Sequence, residues 1–137
     1  MDEAIVYWQK ALDENQEYAE VRKNLGGAHD SVGVGLLRQG RIDEALPHFR
    51  KALDLDPADP TADYTLGVAL LRKAQPGEAI AHLERAVAFD PKDAQAHSDL
   101  GVALLQKGRI GEAVAHFEQA IGIDSRFAQA YFNLGNT

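Results

Sequence analysis

His48, His82 and His116 stand thirty-four residues apart, and imidazoles repeated in this way suggest either metal ligation or a proton switch near neutral pH. A metal ion needs ligands converging at about 2.0 to 2.1 Å. Side chains offset by a whole structural unit do not converge in that way, and the chain has no cysteine to complete a set. The three histidines therefore read as packing residues. The acidic run Asp54-Leu55-Asp56-Pro57-Ala58-Asp59 has the carboxylate density of a calcium loop, but Pro57 and the missing glycine break the ligand pattern. It reads better as a helix end, a turn and a cap. Phosphate loops and nucleophile elbows are absent, and Ser31, Ser98 and Ser125 are accounted for as helix-surface or turn residues. The expectation is a chain that is not an enzyme and takes no metal or cofactor.

Composition narrows the partners. Over 137 residues, 45% are hydrophobic and 26% charged, the balance of an ordinary soluble globular protein. The longest apolar run falls well short of the roughly 18 residues that would suggest a membrane span. Formal net charge is −7, and the 14 Lys and Arg are spread over several helical segments instead of one face, which argues against a phosphate-tracking surface. Neither nucleic acid nor membrane is an expected partner. Met1-Asp2-Glu3-Ala4 is acidic where a secretory signal is basic, so no targeting segment is read in the chain as given; localisation is left open, a soluble, cytoplasmic protein being expected over a secreted one. The absence of cysteine excludes disulfides and thiol catalysis and leaves the redox compartment open.

The elements that position these residues are set by a repeat. Leu66-Gly67-Val68-Ala69-Leu70-Leu71 returns unchanged as Leu100-Gly101-Val102-Ala103-Leu104-Leu105, and Val32-Gly33-Val34-Gly35-Leu36-Leu37 is a near copy thirty-four residues earlier. Glu44-Ala45, Glu78-Ala79 and Glu112-Ala113 keep the same interval. A fixed period of this size signals stacked supersecondary units. Between Pro60 and Asp93, Leu66, Ala69, Leu70 and the stem of Lys73 follow a helical spacing. After Ala74-Gln75-Pro76 a second helical pattern runs through Ala79, Ile80, Leu83, Ala86 and Val87. Each unit is therefore two helices.

Asp59 before Pro60 is a helix start, because Asp caps free amides and proline loses nothing at the first helical position. Pro57 and Pro91 stop the preceding helices, and Gly40 and Gly108 mark turns that suit a left-handed backbone. Gly67, Ala79 and Ala86, like Gly101, Ala113 and Ala120, let helix axes approach while Leu66, Leu83, Leu100 and Phe117 fill the space between.

The Leu-Gly pair, the later Ala, the aromatic or Leu four residues on, the next Ala and the closing Asp-Pro resemble the tetratricopeptide repeat (TPR) family over nearly the whole chain. The resemblance implies an all-α fold, a right-handed α-solenoid of antiparallel helix pairs, in a single array over residues 1–137. Its parts would be a half-repeat with a lengthened hairpin (1–25), three repeats (26–59, 60–93, 94–127) and a truncated half-repeat (128–137). At the histidine position the family often carries an aromatic or His, half buried on the second helix.

The resemblance also implies a non-catalytic protein-interaction scaffold whose groove is lined by the first helix of each pair. The groove residues would be Thr61, Tyr64, Thr65, Val68, Leu71 and Arg72, then Gln95, Ser98, Asp99, Val102, Leu105 and Gln106, then Gln129, Phe132, Asn133 and Asn136. That surface is mostly neutral with an aliphatic floor, suited to a peptide with apolar anchors. Some TPR domains clamp a C-terminal carboxylate with Lys, Arg and Asn; the matching positions here are Tyr64, Val68, Asp99 and Gln129, so a chaperone-tail ligand is disfavoured. Of the asparagine ladder found in the TPR arm of certain glycosyltransferases, only Asn133 is carried over, while Asn24 matches less closely and Thr65 and Asp99 depart.

Two features depart from the pattern. Glu3-Ala4 lies forty-one residues before Glu44-Ala45, seven more than the period. Seven residues are about two helical turns and return the apolar face with only about a 20° offset. Growth of each arm by roughly one turn, with a projecting tip near Gln16 to Ala19, is expected; a break at Gly26-Gly27 is the rival. The ends are half-repeats in the family register. Ile5, Tyr7 and Trp8 at one end, and Tyr131, Phe132 and Leu134 at the other, need cover. Either the chain is a fragment of a longer array, or its ends complete one another head to tail as a homo-oligomer. A third reading makes it the regulatory or substrate-recruiting arm of a larger enzyme.

Overall fold

A computed structural model describes residues 2–14, 19–126 and 128–135. These residues form eight helices and no strand: α1 (Asp2–Glu14), α2 (Ala19–Arg38), α3 (Ile42–Leu55), α4 (Pro60–Arg72), α5 (Pro76–Phe89), α6 (Ala94–Gln106), α7 (Ile110–Ile123) and α8 (Ala128–Gly135). The chain divides into two compact units, Met1–Ala69 and Leu70–Thr137.

In the first unit, α2 packs on α3, and α1 on α2. Ala45, Phe49 and Ala52 are completely buried on α3, spaced three and four apart so that they form one helical face. α2 is 20 residues long against 13 for α4 and α6, whereas α1 has 13 residues and the second helices α3, α5 and α7 have 14 each. Among the described residues the added turns therefore lie on α2 and are not divided between two arms. The reason is apolar: Val21, on the added part of α2, packs with Ile5 and Trp8 against Leu25 and Leu55. Residues 16–18 of the expected tip lie outside the described residues.

The rival break at Gly26-Gly27 does not occur, since α2 runs through both residues. Gly26 lies against α3, where an added Cβ would sit 3.3 Å from the Ala52 carbonyl oxygen and 3.5 Å from Leu55 Cβ. Close approach of two helix backbones thus accounts for that glycine within a continuous helix.

In the second unit, α6 packs on α5 and α7, and α8 lies against α6 and α7. Leu83, Leu100, Ala103, Ala113, Phe117 and Ala120 are completely buried. The Asp93 carboxylate accepts the Ala96 amide at 3.1 Å and so caps α6. At the other end, Gly108 N–H donates to Leu105 O at 2.9 Å and Arg109 N–H to Leu104 O at 2.9 Å. This paired closure is a Schellman turn, whose penultimate residue must be left-handed. Gly40, at φ 75°, closes α2 in the same way in the first unit, and Gly108 has φ 76°. The turn after α4 is built identically, but its left-handed residue is Ala74, at φ 58°.

Candidate peptide-binding face

The expected groove residues among those described fall on α4, α6 and α8, the helices that open their pairs. In the first unit Thr61 is exposed, while Tyr64, Thr65 and Val68 are half-buried. Thr65 is engaged within the chain: its hydroxyl donates to Asp30 Oδ1 at 2.6 Å, joining α4 to α2 across thirty-five positions. Asp30 is only 7% exposed. Burial raises its pKa above the ordinary carboxylate value, the Thr65 hydroxyl opposes that rise, and the charge of Asp59 adds to it.

In the second unit Leu71 is half-buried and Arg72 exposed at the end of α4. On α6, Gln95 and Gln106 are exposed, and Asp99, Val102 and Leu105 are half-buried. Gln95 Nε2 donates to Asp99 Oδ1 at 3.1 Å, one turn along the same helix. α8 repeats the arrangement, with Gln129 Nε2 donating to Asn133 Oδ1 at 3.0 Å. Asn133 Nδ2 then donates to Ser98 Oγ at 3.1 Å, again a spacing of thirty-five.

Ser98 has no exposed surface and Asn133 is 9% exposed, so these two do not belong to an open groove. The cause is their mutual hydrogen bond: packing of α8 on α6 buries both, and each satisfies the other's polar group. Phe132 on α8 is 66% exposed, and Asn136 lies outside the described residues. Asn24, on α2, is exposed.

The aromatic and aliphatic residues expected to need cover separate into two groups. Ile5 and Trp8 are covered by their own chain, packed against Leu25 and Leu55. Tyr7 remains 70% exposed and Tyr131 51% exposed, while Leu134 is half-buried.

His48 and His116 do sit on second helices, half-buried, but each has a partner that the single-position reading overlooked. His29 Nδ1 lies 3.0 Å from His48 Nδ1, and His97 Nδ1 lies 3.1 Å from His116 Nδ1. The signal was present as an equal separation of nineteen residues in both cases. Among the described residues no group of three or more His, Asp or Glu converges to hold a metal ion. Nor is any described helix long and apolar enough to cross a membrane.

No curated protein matches the chain. Among solved structures, the first TPR of Spaghetti (RPAP3) bound to HSP90 peptide SRMEEVD is 23% identical, with 83% of this chain and 90% of that one covered and a TM-score of 0.79. The crystal structure of MamA is 26% identical, with 96% and 73% covered and a TM-score of 0.73. The Arabidopsis OM64 TPR domain is 19% identical, with 84% and 95% covered and a TM-score of 0.81. Residues 36–100 match a tetratricopeptide repeat family model, and residues 103–137 match a second TPR repeat model. With its helix pairs and both matches, the chain belongs to the tetratricopeptide repeat family, whose all-α solenoid fold is a non-catalytic protein-interaction scaffold.

Proposed function

We propose that the first-helix face of each unit holds a peptide segment of another protein through aliphatic contacts edged by neutral polar groups. The observation that carries this reading is the recurrence of Val34, Val68 and Val102, half-buried at one position of successive first helices. Repeated aliphatics that stay partly exposed favour a docking surface over simple core packing. Thr61, Tyr64, Arg72, Gln95, Gln106, Gln129 and Phe132 supply polar or aromatic edges, and Leu71 and Leu105 widen the floor. A shallow face of this kind gives modest affinity per repeat and gains strength when several repeats act together.

The carboxylate-clamp positions hold Tyr64, Val68, Asp99 and Gln129, so the ligand is a peptide with apolar side chains and no requirement for an acidic C-terminus. The test is selection of peptides from a displayed random library on the wild-type chain, followed by titration against Val68→Glu/Val102→Glu. Loss of binding with unchanged helicity is expected. Equal binding by the variant, or strong binding of the acidic heptapeptide SRMEEVD by wild type, overturns the assignment.

A second reading, self-association, is favoured by the exposure of Tyr131 and Phe132 on α8 and of Tyr7 on α1. Light scattering across a concentration series tests it, and a strict monomer at high concentration rejects it.

A further inference from the structure

The geometry points to the two imidazole pairs, His29–His48 and His97–His116, as proton-sensitive latches that each join the two helices of one repeat, stay closed on taking up one proton and open on taking up a second. The pairs are built alike. Each takes one ring from a first helix, α2 or α6, and one from the second helix packed on it, α3 or α7. Ring centroids are 5.2 Å apart in the first pair and 5.3 Å in the second. The intervening repeat carries Asp63 in place of the first-helix histidine, so the imidazole pair occurs in alternate repeats.

Proton positions follow from the partners. His97 Nε2 lies 2.8 Å from the Pro91 carbonyl oxygen, which can only accept, so this nitrogen carries a hydrogen. A neutral His97 therefore offers a lone pair at Nδ1, and His116 must donate its Nδ1–H across the 3.1 Å gap. The first added proton goes to His116 Nε2 and leaves that bond intact and charge-assisted. A second can enter only at His97 Nδ1. Two N–H groups would then face each other between two like charges, and the bond between the helices would be lost. The His29–His48 contact of 3.0 Å obeys the same rule whichever ring donates, because one Nδ1 hydrogen can be shared and two cannot.

Burial and the neighbouring imidazole lower one ring of each pair, in keeping with a coupled pair that takes up one of two protons with difficulty. Burial, then the neighbouring His97, lower the pKa of His116, while Glu84 on α5 and Glu112 on α7 pull it back up. Burial, then His48, then Lys51 on α3 lower that of His29. A histidine lowered from its unfolded value of 6.5 contributes stability that is present above that pH. The contribution is lost as pH falls through the folded value, because the unfolded chain binds more protons.

The test compares the wild-type chain with His48→Asn/His116→Asn. The Asn amide reaches the Nδ1 position, does not titrate, and can turn its oxygen toward a protonated partner. Unfolding free energy is measured by denaturant titration between pH 6.5 and 5.0. If each native pair withholds one proton, log K for unfolding should depend on pH more steeply in wild type by about two protons. Equal slopes overturn the proposal. Ring 15N resonances of the wild-type chain give a second reading that needs no variant. One imidazole of each pair should titrate while its partner stays neutral to pH 5, and four independent titrations at the ordinary histidine value overturn the latch.

Discussion

Gly33→Ala and Gly35→Ala differ by two positions on one helix and should move stability in opposite directions. Both replace a helical glycine by alanine and should gain the same intrinsic term, about 1 kcal/mol. Around Gly35 an added Cβ meets nothing within 4 Å. At Gly33 it would lie 2.5 Å from Phe49 Cε1 and 2.8 Å from Cδ1, where ordinary contact begins at 3.4 Å. The ring must retreat by most of an ångström, yet Phe49 is completely buried and has no free space to enter. Overpacking of this kind costs about 1 to 3 kcal/mol. The propensity term cancels between the variants, so Gly33→Ala should be less stable than Gly35→Ala by that amount. At roughly 4 °C per kcal/mol for a chain of this size, Tm values followed by circular dichroism at 222 nm should separate by about 4 to 12 °C. The second repeat copy supplies a control. An added Cβ at Gly101 would lie 2.7 Å from Phe117 Cδ1 and 2.9 Å from Cζ. Phe117→Leu, the residue type of Leu83 in the preceding repeat, should therefore cost less in the Gly101→Ala background than alone. A rise in Tm of the same size for Gly33→Ala and Gly35→Ala, or additivity in the Gly101–Phe117 cycle, refutes the close-approach argument.

Three further variants test the turns and the buried carboxylate. Ala74 holds the left-handed position that Gly40 and Gly108 fill elsewhere, so Ala74→Gly should stabilise by about 1 kcal/mol and Gly108→Ala should destabilise by a similar amount, both read by denaturant midpoint. Asp30 has its pKa raised chiefly by burial from 3.8, so its contribution to stability is fullest below that pH and is lost as pH rises through the folded value. Asp30→Asn should accordingly gain on wild type in going from pH 3.5 to pH 7; an identical stability difference at the two pH values contradicts the assignment.

The repeat was legible because close packing leaves a periodic record. Gly33 and Gly101 recur because Phe49 and Phe117 lie against their helices, and glycines and phenylalanines alike are two thirty-four-residue periods apart. The paired polar contacts were less legible because their interval differs. Asp30–Thr65 and Ser98–Asn133 are thirty-five apart, so a residue on one first helix meets the following position on the next. Reading by the thirty-four-residue register puts Ser98 and Asn133 in different columns of one groove, while the offset by one buries them together. The same column reading isolated His48, His82 and His116 and overlooked His29 and His97, whose nineteen-residue separation crosses the turn between paired helices. Contacts within a helix pair and contacts between successive pairs thus carry different intervals, and a period alone reports neither. Subtracting both leaves, for the proposed docking, Val34 and Val68 half-buried in the first unit and Leu71, Val102 and Leu105 half-buried in the second. The valines are the discriminating positions because no hydrogen-bond demand of the fold fixes them, so a charge placed there should report on docking more than on assembly of the helices.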